Sequence, residues 1–435
     1  MRPSTGPLLL LLAITACGQG GDDAPVRADA GATLDGVAEA YVKIALAFRE
    51  YDGAYVDAYF GPAEWADAAA SAPVPLAALR AEAARLAAAV RDLPDAAEAL
   101  VNARREVLLK RLTSMSLRMD MAEGRRLPFD EESAVLFDAV APTYGVERFR
   151  SAVGRMDDLL PGEGALHERL EVFRRAFEIP MERLEPVFDA AIDECRRRTL
   201  EHIELPAGES FTIEYVTGQP WSGYNWYKGS RYSLIEINTD LPIYVDRAVD
   251  LGCHEGYPGH HTHNVLLEDK LVDARGWIEF TLSPLYGPQS LISEGSANFG
   301  IDLAFPGDER EQFERDVLFP LAGLDPAQAD RYYDVLDALE ELDYALNEAA
   351  RAYLNGELTR EEAVEWLMRN ALSTRERAEQ RLRFIDTYRS YVINYNLGRD
   401  LVGAFIAREA GDDRQARWQV LERLLSQPMA PSDLL

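Results

Sequence analysis

The chain runs to 435 residues, with 74 acidic against 45 basic side chains and a formal net charge of −29 at pH 7. A field of that sign argues against nucleic acid and anionic lipid surfaces as partners, and it carries no information about fold. Spread along helix-favouring stretches, the acidic excess reads as solvated faces that keep the protein soluble.

At the N-terminus, Met1-Arg2 is followed by an apolar run from Leu8 to Leu12 and by Ala13-Ile14-Thr15-Ala16-Cys17. The run is too short to span a bilayer and ends in small residues, which predicts a signal peptide over 1–16. The Ile-Thr-Ala-Cys ending resembles a bacterial lipobox, and the resemblance implies that Cys17 becomes the lipidated first residue of the mature protein. Gly18 after the cysteine then favours the outer membrane of a two-membrane cell, so the expected location is the bacterial cell envelope, lipid-anchored, at the outer membrane or periplasm. Residues 17–33 lack periodicity and large apolar groups and are expected to form a flexible tether.

From 34 to 204 the sequence favours helix almost throughout, most clearly over 76–92 and 96–120. Between 205 and 242 its character changes to alternating strands, Phe211–Val216 and Tyr232–Ile237, separated by Gly218, Pro220, Gly223 and Gly229. The region 205–305 therefore reads as a small sheet leading into a helix that carries the chemistry. Helices return over 306–435. Leu339, Leu342, Leu346, Ala349 and Tyr353 fall on one face before a stop at Asn355-Gly356, and Thr359-x-x-Glu362 and Ser373-x-x-Glu376 read as capping boxes. The length permits up to three domains, but no Pro/Ser-rich linker divides it, so one mainly helical unit over 34–435 is expected.

Four of the six histidines lie in Cys253-His254-Glu255-Gly256-Tyr257-Pro258-Gly259-His260-His261-Thr262-His263. Neutral imidazole is the commonest protein ligand for zinc, and a carboxylate directly after the first ligand is the usual general base of helical zinc hydrolases. The simple His-Glu-x-x-His pattern is absent, because its fourth position is Pro258. Proline inside a helix removes a backbone donor and clashes with the preceding turn, while Gly259 tolerates unusual dihedrals, so the pair predicts a break or kink. On an unbroken helix His260 would sit about 240° round from His254, whereas His261 would share its face two turns away. Geometry leaves the second ligand open between them. Neighbouring helical side chains diverge by about 100°, so Cys253 is expected as a small buried hydrophobe and not a ligand, while its pairing with Cys195 stays open. His263 is expected behind the ligands or at the surface, and His167 and His202 read as helix-surface residues.

Further on, Ser290 to Asp302 reads as a buried helix through Leu291, Ile301 and Phe305 that stops at Pro306-Gly307. Asn298 and Asp302 share the face of Glu294 and are expected to orient a ligand histidine. Tyr388, Tyr391 and Tyr395 recur at helical spacing, which fits a core stripe and equally fits a phenol placed for catalysis.

The segment His254-Glu255-Gly256-Tyr257-Pro258-Gly259-His260 resembles the His-Glu-x-x-Pro-Gly-His of the bacterial domain-of-unknown-function family 885, grouped with the thermolysin-like zincins. Ile237-Asn238-Thr239-Asp240-Leu241-Pro242 looks like that family's strand and Asn-Thr turn, and the likeness extends to Glu294-Gly295-Ser296-Ala297 and to Tyr395-Asn-Leu-Gly398. The resemblance favours His260 over His261. It implies that Glu294, 40 residues after His254, is the third ligand, and that Tyr395 donates to an oxyanion. This chain departs from the family pattern at Ser296, Asn298 and Phe299, and in having Arg389-Ser390-Tyr391 where the family reads Pro-Gly-Gln.

The expected fold is mainly α, a multi-helix zincin-like metallopeptidase architecture with a small antiparallel sheet before the metal helix. The expected function is a membrane-tethered hydrolase, a metallopeptidase acting on a peptide or small amide. One Zn2+ per chain is held by His254, His260 and Glu294, with Glu255 as general base and Tyr395 assisting. The competing expectations are an envelope lipoprotein that binds peptides or another envelope component without turnover, and a zinc hydrolase of a non-peptide amide or ester.

Overall fold

The computed structural model describes residues 33–219 and 221–435. The expected signal peptide over 1–16, the lipidated Cys17 and all of the tether before Thr33 lie outside the described residues. Thr33 caps the first helix, Leu34–Phe48, its hydroxyl accepting from the Gly36 N–H at 3.1 Å.

Helices dominate. Those expected over 76–92 and 96–120 are Leu76–Asp92 and Ala99–Ala122. Two large apolar cores organise the chain. One joins the N-terminal helices to residues 335–397. The other packs Leu184–Leu200, the sheet, the helix Asp246–Glu255, the helix Pro288–Ala304 and the C-terminal helices together. The Thr359 capping box forms with both of its hydrogen bonds. At the next helix, Arg375–Tyr388, the cap is Thr374 and not Ser373, because the Ser373 hydroxyl accepts from Arg381 at 2.8 Å. The face expected to run unbroken from Leu339 to Tyr353 is divided into Ala329–Glu340 and Ala345–Leu354 by a tight turn. His202 is not a plain surface residue either, since its ring stacks on buried Trp418 at 4.8 Å.

The sheet differs from the antiparallel pair expected. Ser210–Val216 and Tyr232–Asn238 run parallel, and a third strand, Gly223–Tyr227, lies antiparallel on the far side of Tyr232–Asn238. The chain must reverse once through that intervening strand before the central one is laid down, so its two outer neighbours run in opposite senses. Ile235 and Ile237 alternate inward along the central strand. A two-stranded antiparallel ribbon, Val56–Tyr59 with Leu282–Pro284, lies apart from this sheet.

Cys195 and Cys253, whose pairing the sequence leaves open, form a disulfide with Cα atoms 5.5 Å apart. The cause is the packing of Leu184–Leu200 on Asp246–Glu255. Gly252 faces Ile192 so closely that a Cβ there would stand 3.0 Å from the isoleucine side chain. The glycine lets the helices approach until the two buried cysteines share one interface. Closing a loop across 58 residues removes about 4 kcal/mol of unfolded-chain freedom. Cys195→Ser/Cys253→Ser is therefore expected to unfold at clearly lower urea than the oxidised protein, with coincident urea curves as the contrary result.

Candidate metal centre

The helix Asp246–Glu255 ends at Gly256, where φ and ψ are −101° and −100°, and helix resumes at His260. This is the break expected from Pro258-Gly259, and Tyr257–Pro258 is a cis peptide. Glycine is required at both ends of it. A Cβ on Gly256 would lie 2.6 Å from the Gly252 carbonyl oxygen, and one on Gly259 would lie 1.8 Å from that of His254. Gly259 N–H donates to Cys253 O at 3.0 Å, which folds the restarted helix back against the end of the first. The His254 and His260 rings consequently meet edge to face at 4.6 Å. His261 turns the opposite way. Its Nε2 meets the Glu209 carboxylate at 3.0 Å and its Nδ1 the Ser233 hydroxyl at 2.8 Å, in full burial, so it is a structural residue on the sheet side.

Glu294 comes to the histidines on Pro288–Ala304, which crosses Ile393–Ala410 glycine to glycine. A Cβ on Gly295 would sit 2.3 Å from the Gly398 carbonyl carbon, and one on Gly398 would sit 2.7 Å from the Leu291 oxygen. Only hydrogen at both positions allows this contact. The close crossing delivers Tyr391, just ahead of the second helix, to Glu294, where its hydroxyl donates to Oε1 at 2.7 Å. The turn before Tyr391 is pinned by fully buried Glu132, which accepts from Arg389 Nε at 2.7 Å and from the Ser390 hydroxyl at 2.7 Å. Glu294 Oε2 stands 3.2 Å from His254 Nε2, and Oε1 stands 3.8 Å from His260 Nε2.

Both histidines are held from behind. Asn298 donates its amide to the Tyr395 carbonyl at 3.3 Å, which leaves Oδ1 to accept from His254 Nδ1–H at 3.0 Å. His254 Nε2 is thereby aimed at Glu294. His260 Nδ1 lies 3.1 Å from the Ser293 hydroxyl, and His263 Nδ1 lies 3.2 Å from the same oxygen. Asp302, expected to share this work, instead pairs with Arg399 at 3.0 Å. It lies two turns beyond Glu294, and the arginine on the crossing helix claims it.

Burial would hold His254 neutral, but its contact with Glu294 and the charge of Glu255 outweigh burial and push it up to about 9. Burial drives His260 down to about 4 and raises Glu255 to about 7. For Glu294 burial is outweighed by His254 and His260, which hold it below the usual range. Glu294 is 7 % exposed, yet Oε2 has no hydrogen-bond partner. One donor atom each from His254, Glu255 and His260 lies within 4.8 Å of the others. Ligand atoms held about 2.0–2.1 Å from a tetrahedral zinc stand about 3.3 Å apart. The 3.2 and 3.8 Å separations around Glu294 suit that spacing, and two imidazoles with one carboxylate are a donor set zinc accepts. The residues present fit the ion.

The strand Gly223–Tyr227 lies against Glu255. Asn225 donates to the Glu255 carbonyl at 2.7 Å, and a Cβ on Gly223 would come within 3.0 Å of Glu255 Oε1. Tyr224, on the same strand, donates to Asp57, whose carboxyl is raised to about 7 by burial and by the charges of Glu294 and Glu255. Tyr395 stands next to Tyr391 at 5.9 Å between rings, 36 % exposed, its phenol held well above the ordinary range by burial, Glu294 and Glu255. It is therefore a proton donor across the working range of pH. Tyr391, Ser293, Asn225 and Asp57 carry no sequence signal as site residues beyond the tyrosine spacing and the adjacency of Ser293 to Glu294.

No family model and no curated protein matches this chain. Among solved structures, a "putative lipoprotein" from Colwellia psychrerythraea superposes with a TM-score of 0.51 at 16% identity, covering 85% of this chain and 70% of that one. A "putative lipoprotein of unknown function" from Shewanella oneidensis gives 0.44 at 15% identity, covering 85% and 74%. The first of these likenesses shows a shared fold. Among the described residues no helix is long and apolar enough to cross a membrane.

The glycine crossing generates a direct test. Gly295→Ala forces the crossing helices apart or distorts them, at a cost typical of overpacking, about 1–3 kcal/mol. The melting temperature is expected to fall, whereas an unchanged value would mean the crossing is looser than described.

Proposed function

We propose that this chain is a zinc-dependent hydrolase, a peptidase of thermolysin-like type, in which His254, His260 and Glu294 hold the metal and Glu255 is the general base. The observation that carries the reading is the buried Glu294 carboxylate, whose Oε2 lies 3.2 Å from His254 Nε2 and whose Oε1, held by the Tyr391 hydroxyl, lies 3.8 Å from His260 Nε2. The order of the motifs and the helix break that faces His260 toward His254 support the zincin architecture and the likeness to family 885.

Zinc held by these residues would supply Lewis-acid polarisation of a substrate carbonyl and acidify water. Glu255, whose carboxylate lies within 4.8 Å of donor atoms on His254 and His260, is left out of the ligand set in this reading and takes a proton from the attacking water and returns it to the leaving amine. Asn298 and Ser293 keep the ring nitrogens directed, and Tyr391 holds one oxygen of Glu294. The Tyr395 phenol is free to donate to an oxyanion. The edge strand Gly223–Tyr227, lying along Glu255, offers an extended peptide a backbone to pair with.

In this reading Cys17 carries a lipid and hangs the enzyme from the envelope, as the naming of its structural neighbours suggests. That same naming favours a second reading, an envelope lipoprotein that binds peptides or another envelope component without turnover. Glu255 separates the two. Glu255→Gln keeps size and most hydrogen bonding, so zinc content and fold are expected to persist while hydrolysis of any peptide cleaved by the wild type falls about 10²–10⁴-fold. Turnover at the wild-type rate would contradict the hydrolase mechanism. About one zinc per chain is expected by metal analysis, lost in His254→Ala and His260→Ala and retained in His261→Ala. Loss in His261→Ala with retention in His260→Ala would reverse the ligand assignment. Cys17→Ser is expected to leave the membrane fraction, and its persistence there would mean another anchor.

A further inference from the structure

The Ser293 hydroxyl lies between two imidazole nitrogens, 3.1 Å from His260 Nδ1 and 3.2 Å from His263 Nδ1. A serine hydroxyl has one proton to give and lone pairs to receive, so it cannot donate to both rings. It can accept from both rings, or accept from one and donate to the other. His263 is 8 % exposed, beside a small cavity lined by Leu267, Phe280, Ile292 and Leu424. Burial, His260 and the Arg111 guanidinium push it down to about 3, so it remains a neutral ring able to accept. With His260 Nε2 directed at a metal, the His260 proton lies on Nδ1 and is given to Ser293 Oγ, and the Ser293 proton then goes to His263 Nδ1 when that ring carries its own proton on Nε2.

We propose that Ser293, backed by His263 as its acceptor, is a positioning residue that fixes His260 with its proton on Nδ1 and its Nε2 lone pair directed at the metal position. The inference rests on the metal-binding reading above and assigns to two further residues the task that Asn298 performs for His254. In the opposite polarity, with Ser293 donating to His260 Nδ1, the His260 proton moves to Nε2 and blocks the atom that faces Glu294. With its own proton on Nε2, His263 opposes this by taking the serine proton. It is thus coupled to the metal position without touching it, and only through Ser293.

Partners that orient a metal-bound histidine are worth about 10–100-fold in metal affinity. Zinc affinity measured by chelator competition on the full chain is expected to fall by that factor in Ser293→Ala. In His263→Leu, which removes the acceptor but keeps an apolar filling, it is expected to fall by a smaller factor. The double variant is expected to bind as Ser293→Ala does, because His263 has no route to the metal once the hydroxyl is gone. A merely structural role for His263 would instead give multiplying effects, and that result overturns the proposal. Wild-type affinity in Ser293→Ala overturns it as well while leaving the metal site standing. A wild-type chain that binds no zinc overturns both this inference and the function on which it rests.

Discussion

A carboxylate taken out of water costs several kcal/mol unless a cation or a full set of donors meets it. Glu294 is such a group, and only one of its oxygens has a hydrogen-bond donor, the Tyr391 phenol. The other faces His254 Nε2, a nitrogen whose opposite ring position is already committed to Asn298. The charge of Glu294 is answered by His254, which its contact raises to about 9, while burial lowers His260 to about 4. A divalent cation satisfies the carboxylate and both rings at once and releases the His254 proton. The polar groups around the centre are consistent with that demand, because each holds His254, His260 or Glu294 from outside.

Backbone shape makes the cluster possible, and four glycines make the shape. Gly256 and Gly259 allow the first helix to stop and the second to restart folded back upon it, which faces His260 rather than His261 toward His254. Gly295 and Gly398 allow two helices to cross in backbone contact, which sets Glu294 beneath the rings and brings Tyr391 to it. The disulfide from Cys253 to Cys195 anchors the helix Asp246–Glu255 at the residue before His254. Side-chain chemistry here depends on the absence of side chains at neighbouring positions.

Much of this was legible in the sequence, where short-range chemistry fixed it. Pro258-Gly259 announced the break, Thr359 a helix start, and Asn298, four residues after Glu294, a partner for His254. What could not be read depended on packing between distant segments. The cysteines meet because Gly252 faces Ile192, and nothing local marks that contact. The third strand was hidden because Gly223 looked like a separator, and with it went the parallel sense of its neighbours. Asp302 has the right spacing, yet Arg399 on another helix takes it away. Tyr391 and Tyr395 sit one turn apart on one stripe, and spacing alone does not tell which touches Glu294.

The most direct test is anomalous scattering at the zinc edge from crystals of the protein grown with one equivalent of zinc. The account requires a single strong peak bounded by His254 Nε2, His260 Nε2 and the Glu294 carboxylate, with Glu255 outside bonding distance. A peak between His261 and Glu209, or none within reach of Glu294, would contradict it.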